Sequence, residues 1–210
     1  PPALIDAALA RSLPVHTSYG MTETASQITA TRSGADRVEL ATSGYPLGPE
    51  TVRVSAEGLI AVNGPSRFLG YWEEGRIVSP FDGDGWFTTS DLGHFDEVGR
   101  LCVDGRRDNM FIAGGENIQP EVIERALCAL PGVMQAVVVP VAHPEFGATP
   151  VAFVEVAGAL DAEGLREAIA LVLPRFMVPR HFLPWPDDLG AAMKISRAAL
   201  AQKATEALRD

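Results

Sequence analysis

The sequence predicts an α/β and β region with a small antiparallel β-barrel or sandwich, followed by a compact α+β domain. Apolar residues at helical spacing in residues 2–12 precede a short strand predicted at 14–18, which is typical of the end of an α/β unit. Between residues 37 and 104, short β-prone runs alternate with Gly, Pro and Asp turns, as in a small barrel or sandwich. After Gly105 the predicted order becomes β-α-β-β-α-β, which indicates a split βαβ domain.

A change of composition near Asp104 to Asp108 predicts the boundary between these two parts. We expect residues 1–104 to form the α/β end and the β-barrel. Residues 105–108 are expected to be the hinge, and residues 109–210 the α+β domain.

Two helices of the second domain are marked at their ends by the sequence. Pro120 in a first turn and Pro131-Gly132 behind the last apolar position predict a helix over 120–130. Ser196 is the expected N-cap of a last helix. The inward face of the first of these helices is predicted to hold Ile123, Ala126, Leu127 and Leu130.

Composition excludes several classes of function. Of 210 residues, 47% are hydrophobic, and 17 basic against 27 acidic residues give a net charge of −10, which argues against nucleic acid as a partner. Cys102 and Cys128 lie far apart without a metal-ligand spacing, which fits a reducing cytoplasm. Because there is no run of about 18 apolar residues and no secretory pattern at the start, we expect no membrane insertion.

Four short motifs carry residues suited to nucleotide chemistry. In the first, a glycine permits close backbone approach, a threonine hydroxyl can donate to phosphate, and a carboxylate can hold Mg²⁺. In the second, a carboxylate can accept hydrogen bonds from two ribose hydroxyls. The last carries a flexible cation that can stabilise charge on a phosphate. In chain order the motifs are Ser18-Tyr19-Gly20-Met21-Thr22-Glu23, Gly85-Trp86-Phe87-Thr88-Thr89-Ser90-Asp91, residues 105–125, and Met193-Lys194-Ile195-Ser196-Arg197.

Each motif taken singly also has an ordinary structural explanation. Thr22 and Glu23 are typical of a capped helix start, and Asp91 of a turn at the end of a strand. Gly115 suits a plain turn, and Lys194 alone is a typical solvated surface lysine. The occurrence of all four motifs in one order favours the functional interpretation.

Together the motifs resemble those of the adenylate-forming acyl-CoA ligases of the AMP-binding superfamily, from Tyr19 to Leu200. They are most similar to the branch that ligates o-succinylbenzoate in menaquinone biosynthesis, through residues 108–111, 114–120, 145–147 and 194–197. The resemblance implies the end of a large AMP-binding domain, including its small β-barrel, followed by an α+β lid domain. Since the family's Ser/Thr/Gly-rich phosphate loop is not found upstream of Tyr19, we expect a carboxy-terminal part of a longer protein, inactive alone.

The resemblance implies nucleotide-binding and metal-binding roles for residues of the first motif. Tyr19 and Gly20 are implied to lie at the nucleotide, with Tyr19 by the adenine. Thr22 is implied to contact the phosphate, and Glu23 to hold the metal. Both Thr22 and Glu23 are therefore expected to be catalytic.

The other motifs give the remaining site residues. Asp91 is implied to bind the ribose hydroxyls, although Ser90 stands where the family usually has glycine, and Arg106 is implied to bind ribose or phosphate. Asp108 matches the hinge residue. Gly114 and Gly115 match the loop that lines the path of the thiol substrate.

The lysine of the last motif is the sharpest catalytic candidate. Lys194 is implied to stabilise charge on the carboxylate and α-phosphate during adenylation only, because a lid can bring it in and then withdraw it. Met193 stands before it where the family usually has glycine.

The resemblance implies an enzyme that uses ATP, Mg²⁺ and CoA to convert a carboxylic acid through an acyl-AMP into a thioester. Another acyl- or aryl-CoA synthetase, or an adenylation domain that loads a carrier protein, stays an alternative. A non-catalytic lid or binding fragment is the alternative of a different class. The oligomeric state is left open, with a homodimer among the expectations.

Overall fold

The computed structural model describes residues 2–186 and 196–209, and the chain forms two compact units. Apart from the first three residues, residues 4–107 form the first unit and residues from 108 onward form the second. Each unit buries a hydrophobic cluster of its own.

The first unit starts with a helix and continues as short antiparallel strands. Strands β1, β2 and β3 form one sheet in that order, and β4, β5, β8 and β9 form a second, while β6 and β7 form a hairpin. The bounds are α1 (Pro2–Ala10), β1 (Ser18–Gly20), β2 (Gln27–Ala30), β3 (Tyr45–Pro46), β4 (Thr51–Val54), β5 (Leu59–Asn63), β6 (Tyr71–Glu73), β7 (Arg76–Val78), β8 (Phe87–Phe95) and β9 (Leu101–Arg106).

The core of this unit joins its two larger sheets. Ile28 comes from β2, whereas Ile60 and Val62 come from β5, and all three are almost fully buried. Side chains of this size contribute about 1.5–3 kcal/mol each when they leave water. Tyr19 belongs to the same cluster, so one residue of the first motif is also a core residue.

The second unit is an α+β arrangement around one long hairpin. Strands β12 and β13 pair antiparallel, and β14 adds to β13 in parallel. The bounds are β10 (Phe111–Ala113), β11 (Glu116–Ile118), α2 (Pro120–Cys128), β12 (Val133–His143), β13 (Gly147–Val156), α3 (Ala162–Ala170), β14 (His181–Pro184) and α4 (Arg197–Ala207).

Both faces of the β12–β13 hairpin are buried. Alternate residues such as Val138 and Ala152 pack with α2 and α3, whereas their neighbours Val139 and Val151 pack against Leu200 of α4. Because successive side chains of a strand point to opposite faces, a sheet covered on both sides needs a nearly unbroken apolar run. This explains why residues 136–141 and 151–154 do not alternate with polar residues.

The predicted fold class, β elements followed by an α+β domain, is confirmed. The predicted inward face of α2 is confirmed, since Ile123 and Leu127 are fully buried and Ala126 packs against the same cluster. Leu130 packs there too, but it lies beyond the end of the helix at Cys128, so the predicted helix is two residues too long. Ser196 caps α4 as predicted, because its hydroxyl accepts a hydrogen bond from the Ala199 amide at 3.3 Å.

Two predicted strands are wrong in extent. The strand predicted at 14–18 lies instead at Ser18–Gly20, because Tyr19 pairs with Thr29 and the register shifts at Gly20. The first strand predicted after Gly105 begins only at Phe111, because Arg107–Asn109 forms a 3₁₀ turn. Its partner β11 was not predicted.

Among the described residues, no helix is both long and apolar enough to cross a membrane.

A half-buried arginine joins three elements of the second unit. The Arg197 guanidinium, at the start of α4, donates to Glu124 of α2 at 3.0 Å and to the Val138 carbonyl of β12 at 2.8 Å. It also approaches Glu121 at 3.3 Å, and the side-chain amide of Asn109 donates to the same carboxylate. Burial opposes the charge of Arg197, but the hydrogen bonds to Glu124 outweigh it and raise the arginine's pKa.

The Arg197 network predicts a large stability effect. Arg197→Ala leaves two carboxylates that are only 14–18% exposed without their cation. We expect the free energy of unfolding to fall by about 3 kcal/mol, the typical result of removing one partner of a buried ion pair. Urea denaturation measures the effect, and Gln202→Ala, an exposed change on the same helix, is the control. A loss below about 1 kcal/mol in Arg197→Ala would contradict the prediction.

Candidate functional site

Residues from three of the first unit's strands meet at one carboxylate. The Tyr19 hydroxyl of β1 donates a hydrogen bond to Oδ2 of Asp91 on β8 at 2.7 Å. On β9, the Arg106 guanidinium lies 3.7 Å from Oδ1 of the same carboxylate. The Asp91 side chain is 17% exposed and that of Arg106 is 55% exposed. Three predicted residues thus come together around a carboxylate that keeps partial access to solvent.

Asp91 lies within a strand, and the prediction that it follows the end of a strand is wrong. Strand β8 continues to Phe95 between β5 and β9, and Asp91 pairs with Arg106 of β9. The buried Thr89 hydroxyl accepts from the Asp91 amide at 3.0 Å and donates to the Ile60 carbonyl at 2.9 Å. The backbone at Asp91 is therefore fixed from both sides.

Ser90 causes no strain where the family usually has glycine. Among the described residues, the non-glycine positions with positive φ are Ser12, Ala25 and Glu74. Ser90 keeps ordinary strand geometry, so the substitution does not disturb the placement of Asp91.

Tyr19 is held in its protonated form. Burial is the main cause that raises the pKa of this phenol, and the hydrogen bond to Asp91 adds to it. Tyr19 is 8% exposed, so its hydroxyl has a fixed donor role toward Asp91.

The turn after β1 is closed by Thr24 and not by the predicted site residues. The Thr24 hydroxyl accepts from the Met21 amide at 3.2 Å and donates to the Ser26 carbonyl at 2.9 Å. Thr24 is buried, whereas Thr22 is exposed and Glu23 is half-buried. Since Thr24 does the capping, the turn does not need the side chains of Thr22 and Glu23.

Glycine is required at position 20 by the close approach of a neighbouring segment of the chain. A Cβ at this position would lie 2.1 Å from the Ser26 carbonyl oxygen, where β1 and β2 shift register. The approach of the neighbouring segment is enough to require glycine here, and the role of Gly20 at the nucleotide stays a prediction.

Gly114 and Gly115 form the two-residue turn between β10 and β11. Their φ values are +60° and +88°, and Ala113 pairs with Glu116 across the turn. Two successive positive φ values are what a type I′ hairpin turn needs, so the hairpin alone accounts for both glycines. Both are exposed, and the Gly114 amide donates to the Phe146 carbonyl at 2.9 Å.

Two predicted residues remain, Asp108 and Lys194. Asp108 belongs to the 3₁₀ turn Arg107–Asn109, where the two compact units divide. Lys194 lies outside the described residues.

The Glu23 carboxylate fits a cation that is already bound to the phosphates of a nucleotide. In the described part of the chain, no cluster of three or more His, Cys, Asp or Glu side chains could hold a metal ion. Mg²⁺ is usually held by one or two protein carboxylates together with waters and substrate phosphates. A single carboxylate such as Glu23 therefore suits Mg²⁺ carried by a nucleotide.

Two contacts at the predicted residues were missed by the sequence reasoning. The Tyr71 hydroxyl donates to Oε1 of Glu23 at 3.1 Å, from the hairpin that begins 48 residues later. The Phe146 ring lies 3.3 Å from the place where a Gly114 Cβ would stand. Tyr71 lies in a β-prone run that suggested only a strand, so no local signal could have identified its partner.

The family comparison matches the second unit. Residues 122–189 match the AMP-binding enzyme C-terminal domain family. The 2-succinylbenzoate–CoA ligase of Salmonella typhimurium is 39% identical over 204 residues, which cover 96% of this chain and 43% of the relative.

Solved structures agree in fold over most of the chain. An Escherichia coli MenE variant with bound OSB-AMS has a TM-score of 0.88 at 36% identity, covering 99% of this chain and 44% of that one. The Bacillus subtilis O-succinylbenzoate Coenzyme A Synthetase in complex with ATP and magnesium ion has a TM-score of 0.72 at 30% identity, covering 88% and 40%. The chain thus spans less than half the length of the proteins it matches.

The Tyr19–Asp91 contact predicts a measurable stability effect. Tyr19→Phe keeps the ring in the core but removes the hydroxyl, and hydrogen bonds to charged groups contribute about 1.5–3 kcal/mol. We expect a loss near the lower end, about 1.5 kcal/mol, because Asp91 keeps partial access to water. Urea denaturation tests this, with Tyr45→Phe, whose ring is covered by Arg32, as the matched control. Equal stability of both variants would refute the role of the hydroxyl.

The raised pKa of Tyr19 predicts a pH dependence of stability. An unfolded tyrosine ionises near pH 10, whereas folded Tyr19 stays protonated to higher pH. Its contribution is therefore fully present below pH 10 and is lost as the pH rises above it. The free energy of unfolding should fall more steeply above pH 10 in the wild type than in Tyr19→Phe. Parallel curves for the two proteins would contradict this prediction.

Proposed function

Because the chain belongs to the AMP-binding enzyme family, we propose that the whole protein carrying it is an ATP-dependent carboxylate–CoA ligase. The substrate best supported is o-succinylbenzoate, and the product is o-succinylbenzoyl-CoA for menaquinone biosynthesis. The chain spans 43% of the relative's length, so this activity is proposed for the whole protein and not for the 210 residues alone.

The contact set of Asp91 carries this proposal. Asp91 accepts a hydrogen bond from the Tyr19 hydroxyl on one oxygen and faces the Arg106 cation with the other. These two partners orient a carboxylate that keeps partial access to solvent. Such a carboxylate can accept both hydroxyls of a ribose, as acidic residues do in dinucleotide sites. The Tyr19 ring then lies beside the adenine, and the Arg106 cation can reach ribose or phosphate.

In the first half-reaction, a carboxylate oxygen of the acid attacks the α-phosphorus of ATP and pyrophosphate leaves. Two anions must meet in this step, so positive charge at the α-phosphate lowers the barrier. We assign this role to Lys194, with the Thr22 hydroxyl donating to phosphate. The Glu23 carboxylate is the residue that holds Mg²⁺, which neutralises phosphate charge when bound.

In the second half-reaction, the CoA thiol attacks the acyl carbonyl carbon and AMP leaves, forming the thioester. The exposed Gly114–Gly115 turn is the proposed thiol-facing surface, because it presents no side chain to a slender pantetheine arm. Asp108 is the proposed hinge. Rotation of the lid domain about it would replace the face that carries Lys194 with the Gly114–Gly115 turn.

The acid substrate is tested by product identity. The whole protein is given ATP, Mg²⁺, CoA and a mixture of carboxylic acids, and the thioesters are identified by mass spectrometry. A dominant o-succinylbenzoyl-CoA product is expected. A different thioester would keep the reaction and reject the substrate, whereas acyl-AMP without thioester would favour carrier-protein loading.

The proposed role of Lys194 predicts a split between the half-reactions. Lys194→Ala should abolish formation of acyl-AMP in the whole protein, because charge at the α-phosphate is then uncompensated. Transfer of the acyl group from supplied acyl-AMP to CoA should continue. Single-turnover assays of each step measure the split, and Lys203→Ala on α4 is the control.

The outcome that counts against this role is an equal loss of both steps. A loss shared by Lys203→Ala would instead indicate general damage to the fold.

A further inference from the structure

The segment that leads into β6 contacts Glu23 through both backbone and side chain. The Phe68 amide donates to the Glu23 carbonyl at 2.8 Å, and the Tyr71 hydroxyl donates to Oε1 of the Glu23 side chain at 3.1 Å. One carboxylate oxygen is therefore engaged by a hydroxyl.

Packing fixes the position of the Tyr71 ring. Phe68 meets Tyr71 edge to face at a centroid distance of 5.0 Å, and it packs in the same way against Phe81 at 5.5 Å and Phe87 at 5.4 Å. Phe87 is buried in the core of the unit, so Tyr71 is connected to that core through one ring. Aromatic pairs of this kind contribute about 0.5–1.5 kcal/mol beyond their burial.

The backbone next to Tyr71 is also constrained. Gly70 has a φ of +143°, and a Cβ there would lie 2.5 Å from the Val78 carbonyl oxygen. Only glycine fits at position 70, because the backbone there lies close to Val78, with which the next residue, Tyr71, pairs. The hydroxyl thus reaches Glu23 from the constrained first residue of β6.

Tyr71 is nevertheless open to solvent, with 41% of its surface exposed. A phenol that only filled the core would be buried, as Tyr19 is at 8%. Its hydroxyl lies at the surface beside a half-buried carboxylate, where a ligand can approach.

We propose that Tyr71 is a positioning residue, whose hydroxyl holds one oxygen of Glu23 and leaves the other oxygen to the nucleotide-bound Mg²⁺. This inference depends on the proposed function, in which Glu23 is the metal-holding residue. Carboxylates that ligate metals are usually hydrogen-bonded in turn, and loss of such a partner typically weakens metal binding about 10- to 100-fold. The orientation of the Glu23 carboxylate is important because Mg²⁺ demands near-ideal geometry and the described residues offer it no cluster of carboxylates.

The test uses Tyr71→Phe in the whole protein, because phenylalanine keeps the packing on Phe68 and removes only the hydroxyl. Binding of a non-hydrolysable ATP analogue is measured by calorimetry over a range of Mg²⁺ concentrations. We expect the Mg²⁺ concentration for half-maximal binding to rise about tenfold. Binding of AMP without metal should not change, and neither quantity should change in Tyr45→Phe.

A double-mutant cycle separates positioning from a structural role. In a Glu23→Gln background, Tyr71→Phe should have no further effect on Mg²⁺ dependence, because the carboxylate it orients is gone. An unchanged Mg²⁺ dependence in Tyr71→Phe overturns the inference. An equal loss of AMP and analogue binding overturns it as well, because that indicates a structural role. If the wild type binds the analogue without Mg²⁺ dependence, the proposed function of Glu23 fails instead.

Discussion

The hydrogen bond from Tyr19 to Asp91 is the contact on which the candidate site depends. It joins residues 72 positions apart and connects the sheet of β1 with the sheet of β8. A carboxylate that is only 17% exposed needs partners, and the buried phenol supplies one without a competing charge. Since Tyr19 also packs in the core, the geometry of the site follows from the packing of the whole unit.

Features determined by local physics could be predicted from the sequence. The helix from Pro120 and its inward Ile123 and Leu127 follow from punctuation and periodicity, and the Ser196 cap follows from its position before an apolar stripe. The change to an α+β pattern after Gly105 could also be predicted, because the spacing of apolar residues changes there. The residues gathered around Asp91 were named in advance only through resemblance to a family.

Features determined by pairing between distant segments could not be predicted. Periodicity does not reveal that β8 continues past Asp91 to Phe95, which places Asp91 inside a strand that pairs with β9. It also gives no sign that Thr24 closes the turn beside Glu23, or that Tyr71 reaches the same glutamate from another hairpin. Each of these depends on which strands lie side by side, and that is decided by the assembled sheets.

The two-faced hairpin has a consequence for synthesis of the protein on the ribosome. One face of β12 and β13 packs with α2 and α3, but the face with Val139 and Val151 packs against α4, which begins only at Arg197. Until α4 emerges, the nascent chain displays an apolar sheet face together with two half-buried carboxylates that lack their cation. Such an apolar surface is prone to association until α4 covers it.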